Sequence, residues 1–263
     1  MLQSLLGCKS IQTILLYLLV NEKCYAHQIH RMLGIPLTPI QKGLLRLEKG
    51  KIITSSLEGK TRFYQFNLDY PFINELELLL KKAFSLLPIL EKKSYYYLKP
   101  APSHERKQHH ELLELIWEHL KNITHVTLIA KSLSKGPNRW NGKGNGEVKV
   151  KNEGQSIIFT EQGSWKGEQG QTHNYSNSFR WTWNRFEGMI SLEHLRFGEN
   201  NPVFLFYLVP TKANLLESST SHLCGEDTYL GWLQYSDLFL QLNFKTIGPK
   251  KNEENEYIYH AWS

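Results

Sequence analysis

The chain has 263 residues, of which 41% are hydrophobic and 12% aromatic, and its formal net charge is +6 at pH 7. This composition excludes an intrinsically disordered chain, and the length favours two domains over one. Cys8, Cys24 and Cys224 have no disulfide-like or CxxC spacing, which favours a reducing cytoplasm. The apolar N-terminus lacks the basic start and cleavage site of a signal peptide, and Lys9 and Gln12 interrupt it, so we expect no membrane span.

The basic charge is confined to the first part of the chain. Residues 1–100 contain 14 Lys or Arg against 7 Asp or Glu, whereas residues 101–263 contain 17 against 18, together with all seven tryptophans. We therefore predict a first domain over residues 1–92, a linker over 93–110 that contains two prolines, and a second domain over 111–263.

The first domain begins with three segments of helical periodicity. "KSIQTILLYLLV" predicts a helix with Ser10 as its N-cap, and "YAHQIHRMLGI" predicts a short helix that ends at Gly34. "PLTPIQKGLLRLEKG" predicts a third helix, with Thr38 as N-cap and Pro39 at the first helical position, that stops at Gly50. A helix, a turn containing glycine and a second helix form the helix-turn-helix pattern.

A change of period follows the third helix. "KIITSSL" and "TRFYQFNL" alternate as strands around "EGK", which predicts a basic two-stranded hairpin. With "PFINELELLLKKAF" after it, the region from residue 9 to about 92 resembles the winged helix-turn-helix domains of small bacterial regulators. The resemblance implies that the third helix enters the major groove of double-stranded DNA and that the hairpin lies along the backbone. The implied contacts are Thr38, Gln41, Lys42, Arg46, Lys60 and Arg62.

The chemistry of these side chains fits that role. Gln41 can make two hydrogen bonds to adenine, Arg46 can reach guanine or phosphate, and the lysines and Arg62 can neutralise phosphates. The alternative is that they form an ordinary solvated surface on a domain used for dimerisation or protein docking. The segment "PFINELELLLKKAFSLLPIL" has near-heptad apolar spacing and predicts either a homodimer helix or a helix packed within the chain.

The second domain reads as strands separated by Gly and Asn, after a short amphipathic helix in "ELLELIWEHL". Nine candidate strands with short connections predict an antiparallel barrel of eight to ten strands, which can hold one small ligand. The segments "GKGNGEV", "TEQGSW", "YSNSFRWTW", "ISLEHLRFG" and "SHLCGEDTYLG" resemble a bacterial family of lipocalin-like (calycin-type) barrels of unassigned role, over about residues 138–262. The expected fold is therefore α+β, a winged helix-turn-helix domain followed by an antiparallel lipocalin-like β-barrel.

The repeated polar motifs of that resemblance imply a ligand cavity. Arginines beside aromatic residues suit a planar, anionic or aromatic ligand, because the guanidinium pairs with charge and stacks on rings. The candidate ligand-binding residues are Trp165, Arg180, Trp181, His194, Arg196, His222, Cys224, Asp227, Tyr229 and Lys250.

The stretch "SHLCGEDTY", residues 221–229, leaves several interpretations open. A zinc site would need His194 or His173 as further ligands, a Cys224 nucleophile would need an orienting third group, and a haem would need one axial histidine. The remaining interpretations are a turn at Gly225 with mutually bonded polar side chains, and the rim of a ligand pocket. We predict no cofactor or catalytic residue, with zinc and haem as alternatives.

These observations together predict a cytoplasmic transcriptional regulator. The basic domain would bind DNA as a homodimer, and the barrel would bind a small effector. One alternative is a barrel enzyme that uses His194, His222 or Cys224; another is a carrier whose first domain docks proteins.

Overall fold

A computed structural model of the chain describes residues 2–96, 105–132, 141–168, 170–219, 222–224, 227–248 and 252–261. The chain divides into two compact units, Met1–Leu98 and Lys99–Ser263. No helix in these described ranges is long and apolar enough to cross a membrane.

The described part of the N-terminal unit contains helices built around a central, almost completely buried one. The helices are α1 (Gln3–Leu6), α2 (Lys9–Asn21), α3 (Ala26–Leu33), α4 (Leu37–Lys49), α5 (Ile73–Ser85) and α6 (Ile89–Ser94). Helix α2 is the central one because apolar residues fill most of its surface; Ile14, Leu16 and Leu18 are fully buried. Gly43 of α4 allows that helix to approach α2 closely, since a Cβ there would lie 2.6 Å from the Cδ1 of Ile14.

Two of the predicted helix starts are wrong by two positions each. Helix α2 begins at Lys9 after Cys8, and no side chain caps it, so Ser10 is inside the helix. Helix α4 begins at Leu37 after Pro36, which places Thr38 and Pro39 in its first turn. The first turn tolerates Pro39 because its backbone N–H groups have no partner within the helix. The end of α3 is as predicted, with Gly34 left-handed at φ 64°.

The predicted hairpin is present and belongs to a three-stranded sheet. Strands β2 (Ile53–Glu58) and β3 (Thr61–Phe66) pair antiparallel across a turn at Gly59, whose φ is 59°. The third strand, β1 (Lys23–Cys24), pairs with β3 and was not predicted, because two residues show no alternation.

The second unit begins with helix α7 (Arg106–Lys121), and its strands follow with short connections. They are β4 (His125–Ser132), β5 (Gly142–Asn152), β6 (Ser156–Gly167), β7 (Thr172–Asn184), β8 (Met189–His194), β9 (Val203–Lys212), β10 (Leu215–Ser218), β11 (His222–Cys224), β12 (Asp227–Tyr235), β13 (Leu240–Ile247) and β14 (Asn252–His260).

Ten of these strands close into an antiparallel barrel, which confirms the predicted barrel. Neighbours in sequence pair from β4 to β10 and from β12 to β14, while β14 pairs with β4 and β10 pairs with β12. The short β11 pairs with the beginning of β12. Strands β10 and β11 were not predicted, since four and three residues are too short for a periodic signal.

Inward-facing apolar side chains and one face of α7 share a single core. The Trp117 ring of α7 lies 5.6 Å from that of Trp183, and the His119 ring lies 5.8 Å from that of Tyr235. Trp183 lies near the end of β7 and Tyr235 lies at the end of β12, and these two strand ends are on the same side of the barrel. Helix α7 therefore packs across one end of the barrel. The strands reach the far end of the barrel at Ser132, His194, Asp227 and Ile247.

Candidate functional site

The register of the barrel strands determines which candidate side chains face its interior. Residues directly opposite each other on paired strands share a face, and faces alternate along each strand. Trp165, Trp181 and Tyr229 are buried and belong to the core. His194 is opposite the buried Phe179, and their rings stack at 4.9 Å. Asp227 shares the inward register of Tyr229, at the far end of the barrel.

The two candidate arginines lie elsewhere. Arg180 is on the outer face of β7, where Nη1 is 3.4 Å from Oε2 of Glu193 and Nη2 donates to the carbonyl of Glu199 at 3.0 Å. Arg196 follows the end of β8, is exposed, and lies over the ring of Phe197 at 4.8 Å. The sequence suggested an anion-binding interior, but these two guanidinium groups do not lie in the interior of the barrel.

The "SHLCGEDTY" stretch is described only in part. The backbone of β11 pairs with β12, with His222 opposite Tyr229 and Cys224 opposite Asp227. The side chains of His222 and Cys224 lie outside the described residues, as do Gly225, Glu226 and the candidate Lys250. Gly248 faces Asp227 closely, and a Cβ there would overlap the carboxylate. Within the described ranges no group of three or more His, Cys, Asp or Glu side chains could hold a metal ion.

The most unusual polar group of the interior is Glu161 on β6. Its side chain is completely buried, and Oε1 accepts a hydrogen bond from the Tyr259 hydroxyl at 2.7 Å. Its other carboxylate oxygen, Oε2, has no hydrogen-bond partner among the described residues. Burial raises the pKa of Glu161 to about 7, because desolvation of the charge outweighs the opposing effects of the Tyr259 hydroxyl and the Asn177 amide.

Further polar groups surround Glu161. Asn177, directly opposite it on β7, donates to the Tyr257 hydroxyl at 3.4 Å. The buried Tyr175 hydroxyl and the indole N–H of Trp181 have no partner among the described residues. Burial raises the pKa of Tyr175 to about 12, with Glu161 adding to the effect, and the pKa values of Tyr257 and Tyr259 are raised in the same way. The tyrosines therefore remain neutral hydrogen-bonding groups.

Aromatic rings form the wall around this cluster. The ring centroid of Phe159 lies 5.3 Å from that of Tyr259 and 5.8 Å from that of Trp181. The ring centroids of Tyr257 and Phe179 are 5.6 Å apart. Glycines on the inner face of β5 allow other rings to lie along the sheet. A Cβ at Gly144 would be 3.3 Å from the Trp165 ring, and one at Gly146 would be 2.6 Å from the Tyr175 hydroxyl. The Trp165 ring of β6 and the Tyr175 ring of β7 therefore lie over glycine positions of β5.

Glu161 was missed in the sequence. The segment "SIIFTEQGSW" places Ile157, Phe159, Glu161 and Trp165 at even spacing, and that period of two was the available signal. Glutamate is rarely buried, so a Glu in such a pattern is ordinarily assigned to the solvent face. Only the observed register, which sets Phe159 opposite the buried Phe179, fixes the face.

The barrel strands have a counterpart among known protein families. Residues 125–261 match the model of a family of unknown function, DUF6314, and they make up just over half of the chain. The chain belongs to this family. The DUF6314 match runs from the first residue of β4 to the residue after β14, so it covers the barrel and leaves out α7 and the N-terminal unit. No curated protein matches the chain.

The predicted DNA-contacting residues lie in the N-terminal unit, outside the DUF6314 match. Thr38, Gln41 and Lys42 are exposed on α4, and Lys60 is exposed in the hairpin turn. Arg46 is also exposed, and its guanidinium lies beside Gly7, where a Cβ would be 3.5 Å from Nη1.

Arg62 is the exception in this set, because its guanidinium is bound within the unit. Nη2 donates to Oε1 of Glu48 at 2.8 Å, and Nε donates to the Ser55 hydroxyl at 2.8 Å. The Ser55 hydroxyl in turn donates to the same Glu48 oxygen at 2.5 Å. This three-residue network ties the hairpin to the end of α4.

Proposed function

We propose that this protein is a DNA-binding transcriptional regulator with a winged helix-turn-helix domain at its N-terminus and a barrel that binds a small effector. The proposal joins the sequence resemblance to the arrangement of the described side chains. Helices α3 and α4 with their intervening turn correspond to the helix-turn-helix, and the β2–β3 hairpin to the wing.

The observation that carries the proposal is the exposed face of α4. Thr38, Gln41 and Lys42 are turned to solvent, whereas Ile40, Gly43 and Leu44 of the same helix are buried. Amide and hydroxyl groups that can contact base edges thus stand beside a lysine that can reach phosphate. This division between a buried and a polar face supports α4 as the recognition helix.

The network of Glu48, Ser55 and Arg62 supports the role of the hairpin. A wing is useful only if its position relative to the recognition helix is fixed, because both must contact the same duplex. Charge-assisted hydrogen bonds are directional and supply such a constraint. In this proposal Arg62 positions the hairpin, and Lys60 at its turn contacts the DNA backbone.

A homodimer is part of the proposal. Helix α5 exposes Leu78 at 60% and Leu79 at 36%. Beside it is a groove of about 500 Å³, lined mainly by apolar side chains that include Leu5, Ile52 and Phe72. Exposed apolar surface of this kind marks interaction sites, and two copies of a DNA-binding unit can read two half-sites.

The barrel supplies the effector site in this proposal. Effector binding changes DNA binding only if the ligand has different affinities for the DNA-binding and non-binding states. The groups around Glu161 are the candidates for that ligand contact.

The test is selection of DNA by the full-length protein from a pool of randomised duplexes. A regulator enriches a common sequence over successive rounds. The Gln41→Ala variant should lose that enrichment, whereas Lys143→Ala, which changes an exposed residue on the barrel, should retain it. Failure of the wild-type chain to enrich any sequence would reject the proposal.

A further inference from the structure

We propose that the barrel binds a small organic cation, whose ammonium group pairs with Glu161 and whose hydrocarbon part lies among the aromatic rings. This inference rests on the proposed function only in taking the barrel to be a ligand-binding domain. It names the chemical class of the ligand.

The first support is the unsatisfied hydrogen-bonding capacity around Glu161. Its Oε2 and the Tyr175 hydroxyl are buried without partners among the described residues. A buried polar atom without a hydrogen bond is costly, and a buried carboxylate without a counter-charge is more so. An ammonium group would give Glu161 both a hydrogen-bond donor and an opposite charge, and the Tyr175 hydroxyl could accept a further N–H.

The second support is the charge on the inner face of the barrel. Besides Glu161, the inward register contains Glu253 on β14, which is half-buried. No Lys or Arg of the described strands occupies a buried or half-buried inward position. His194 is kept neutral near pH 7, because burial, with a contribution from Arg196, lowers its pKa to about 4. The described interior therefore favours a positive ligand over a negative one.

The third support is the aromatic wall. Phe159, Trp181, Tyr257 and Tyr259 stand around Glu161 with ring centroids about 5 to 6 Å apart. Aromatic faces attract cations by about 2 kcal/mol or more when water is excluded. A ten-stranded barrel is also wider than the eight-stranded barrels whose interiors side chains can just fill.

A metal ion fits these groups less well. Hard cations require about six oxygen ligands, and zinc requires about four ligands in tetrahedral geometry. Around Glu161 the described groups are tyrosine hydroxyls, an amide and indoles, and the described residues contain no metal-ligating cluster. An organic cation needs one carboxylate and an apolar surround.

The test compares three probes of similar shape by calorimetry with the full-length protein: phenethylammonium, neutral 2-phenylethanol and anionic phenylacetate. Methylammonium and butylammonium extend the series to smaller cations. We expect at least one ammonium probe to bind, more than tenfold tighter than the neutral alcohol, and phenylacetate not to bind. Equal binding of alcohol and ammonium, preference for phenylacetate, or no binding of any ammonium probe at millimolar concentration would overturn the proposal.

Two variants assign the site. Glu161→Gln keeps the shape and removes the charge, and should weaken ammonium binding more than tenfold. Glu147→Gln removes the same charge from an exposed residue on the neighbouring β5 and should leave binding unchanged. Unchanged affinity in Glu161→Gln would overturn the assignment.

If Glu161→Gln does not fold, the pH dependence of ammonium affinity in the wild-type protein provides the same information. Ammonium affinity should rise as pH increases through about 7, where Glu161 becomes a carboxylate. The other titratable groups that face it, Tyr175, Tyr257 and Tyr259, stay neutral in this range, and so does His194. A flat profile would contradict the pairing.

The DNA selection is performed without any probe, so the two proposals fail separately. Ammonium binding without enriched DNA would reject the regulator and keep this inference. Enriched DNA without ammonium binding would keep the regulator and reject the organic-cation ligand.

Discussion

Glu161 and Tyr259 form a 2.7 Å hydrogen bond in the interior of the barrel, between strands that are not neighbours in the sheet. The bond satisfies Oε1 of the carboxyl and leaves Oε2 without a partner among the described residues. A protein that needed only stability would gain by replacing this carboxyl with an apolar side chain. The cost of keeping it is what makes the Glu161 cluster a candidate site.

That cost should appear as a pH dependence of stability. The pKa of Glu161 is about 7 in the folded chain against an ordinary value of 4.5, so the folded state holds more protons between these values. The free energy of unfolding therefore falls as pH rises through this window, by up to roughly 3 kcal/mol for the full shift.

The measurement is urea unfolding of wild type and Glu161→Gln, followed by tryptophan fluorescence. The titration of His194 changes stability in the opposite direction, because its lowered pKa makes the free energy of unfolding rise as pH increases from about 4 to 6.5. Comparing the two proteins removes that contribution. The variant should gain stability relative to wild type as pH rises from about 4.5 to 7. A difference that does not change with pH would contradict the buried, shifted carboxyl.

Removing the Tyr259 hydroxyl should destabilise the barrel. In Tyr259→Phe the Oε1 atom of Glu161 loses the hydrogen bond from this hydroxyl, and leaving a buried acceptor unsatisfied costs about 1 to 3 kcal/mol. Tyr235→Phe is the control, since its hydroxyl donates to Asp237 at the surface at 3.2 Å. Equal unfolding midpoints for the two variants would show that the buried bond contributes nothing.

Gly231 should not tolerate a side chain. A Cβ at this position would overlap the ring of Phe206, and both residues face the packed interior. Overpacking of this kind typically costs about 1 to 3 kcal/mol, so Gly231→Ala should lower the thermal midpoint of the barrel. Gln234→Ala, at an exposed position on the same strand, should leave it nearly unchanged. A stable Gly231→Ala protein would mean that Phe206 has free space to move.

The variants of α4 should separate specificity from electrostatic attraction. Gln41→Ala should cost about 1 to 3 kcal/mol of binding free energy on the selected sequence and little on a scrambled one, because the contact proposed for Gln41 is to a base. Lys42→Ala should weaken binding to both and reduce the salt slope by about one. Fluorescence anisotropy on the two duplexes measures both effects. Identical losses on both duplexes for Gln41→Ala would place Gln41 outside the base contacts.

The sequence predicted those parts of the structure that local periodicity determines. Helices α2 to α5 and α7, the hairpin around Gly59 and the antiparallel barrel follow from periods near 3.6 and 2, and the αL residue Gly34 marks its helix end. The short helices α1 and α6 were not predicted. The strands missed, β1, β10 and β11, are too short to show a period and exist through their pairing partners.

The chemistry of the interior was harder to predict, because alternation gives two faces without saying which is buried. Arg180 beside Trp181 suggested an anion site, yet the register puts Arg180 outside with Glu193. Glu161 was passed over for the same reason. Pairings between strands far apart in sequence, such as β14 with β4, decide these faces.

Sequence-specific DNA binding by the full-length protein is tested most directly by its affinity for the selected duplex and for a scrambled duplex across a salt series. We expect binding at least about a thousandfold tighter to the selected sequence at physiological salt, with both affinities falling as salt rises. Equal, weak affinities for the two duplexes at every salt concentration would contradict it, since the positive charge of the N-terminal unit would then have no sequence-reading role.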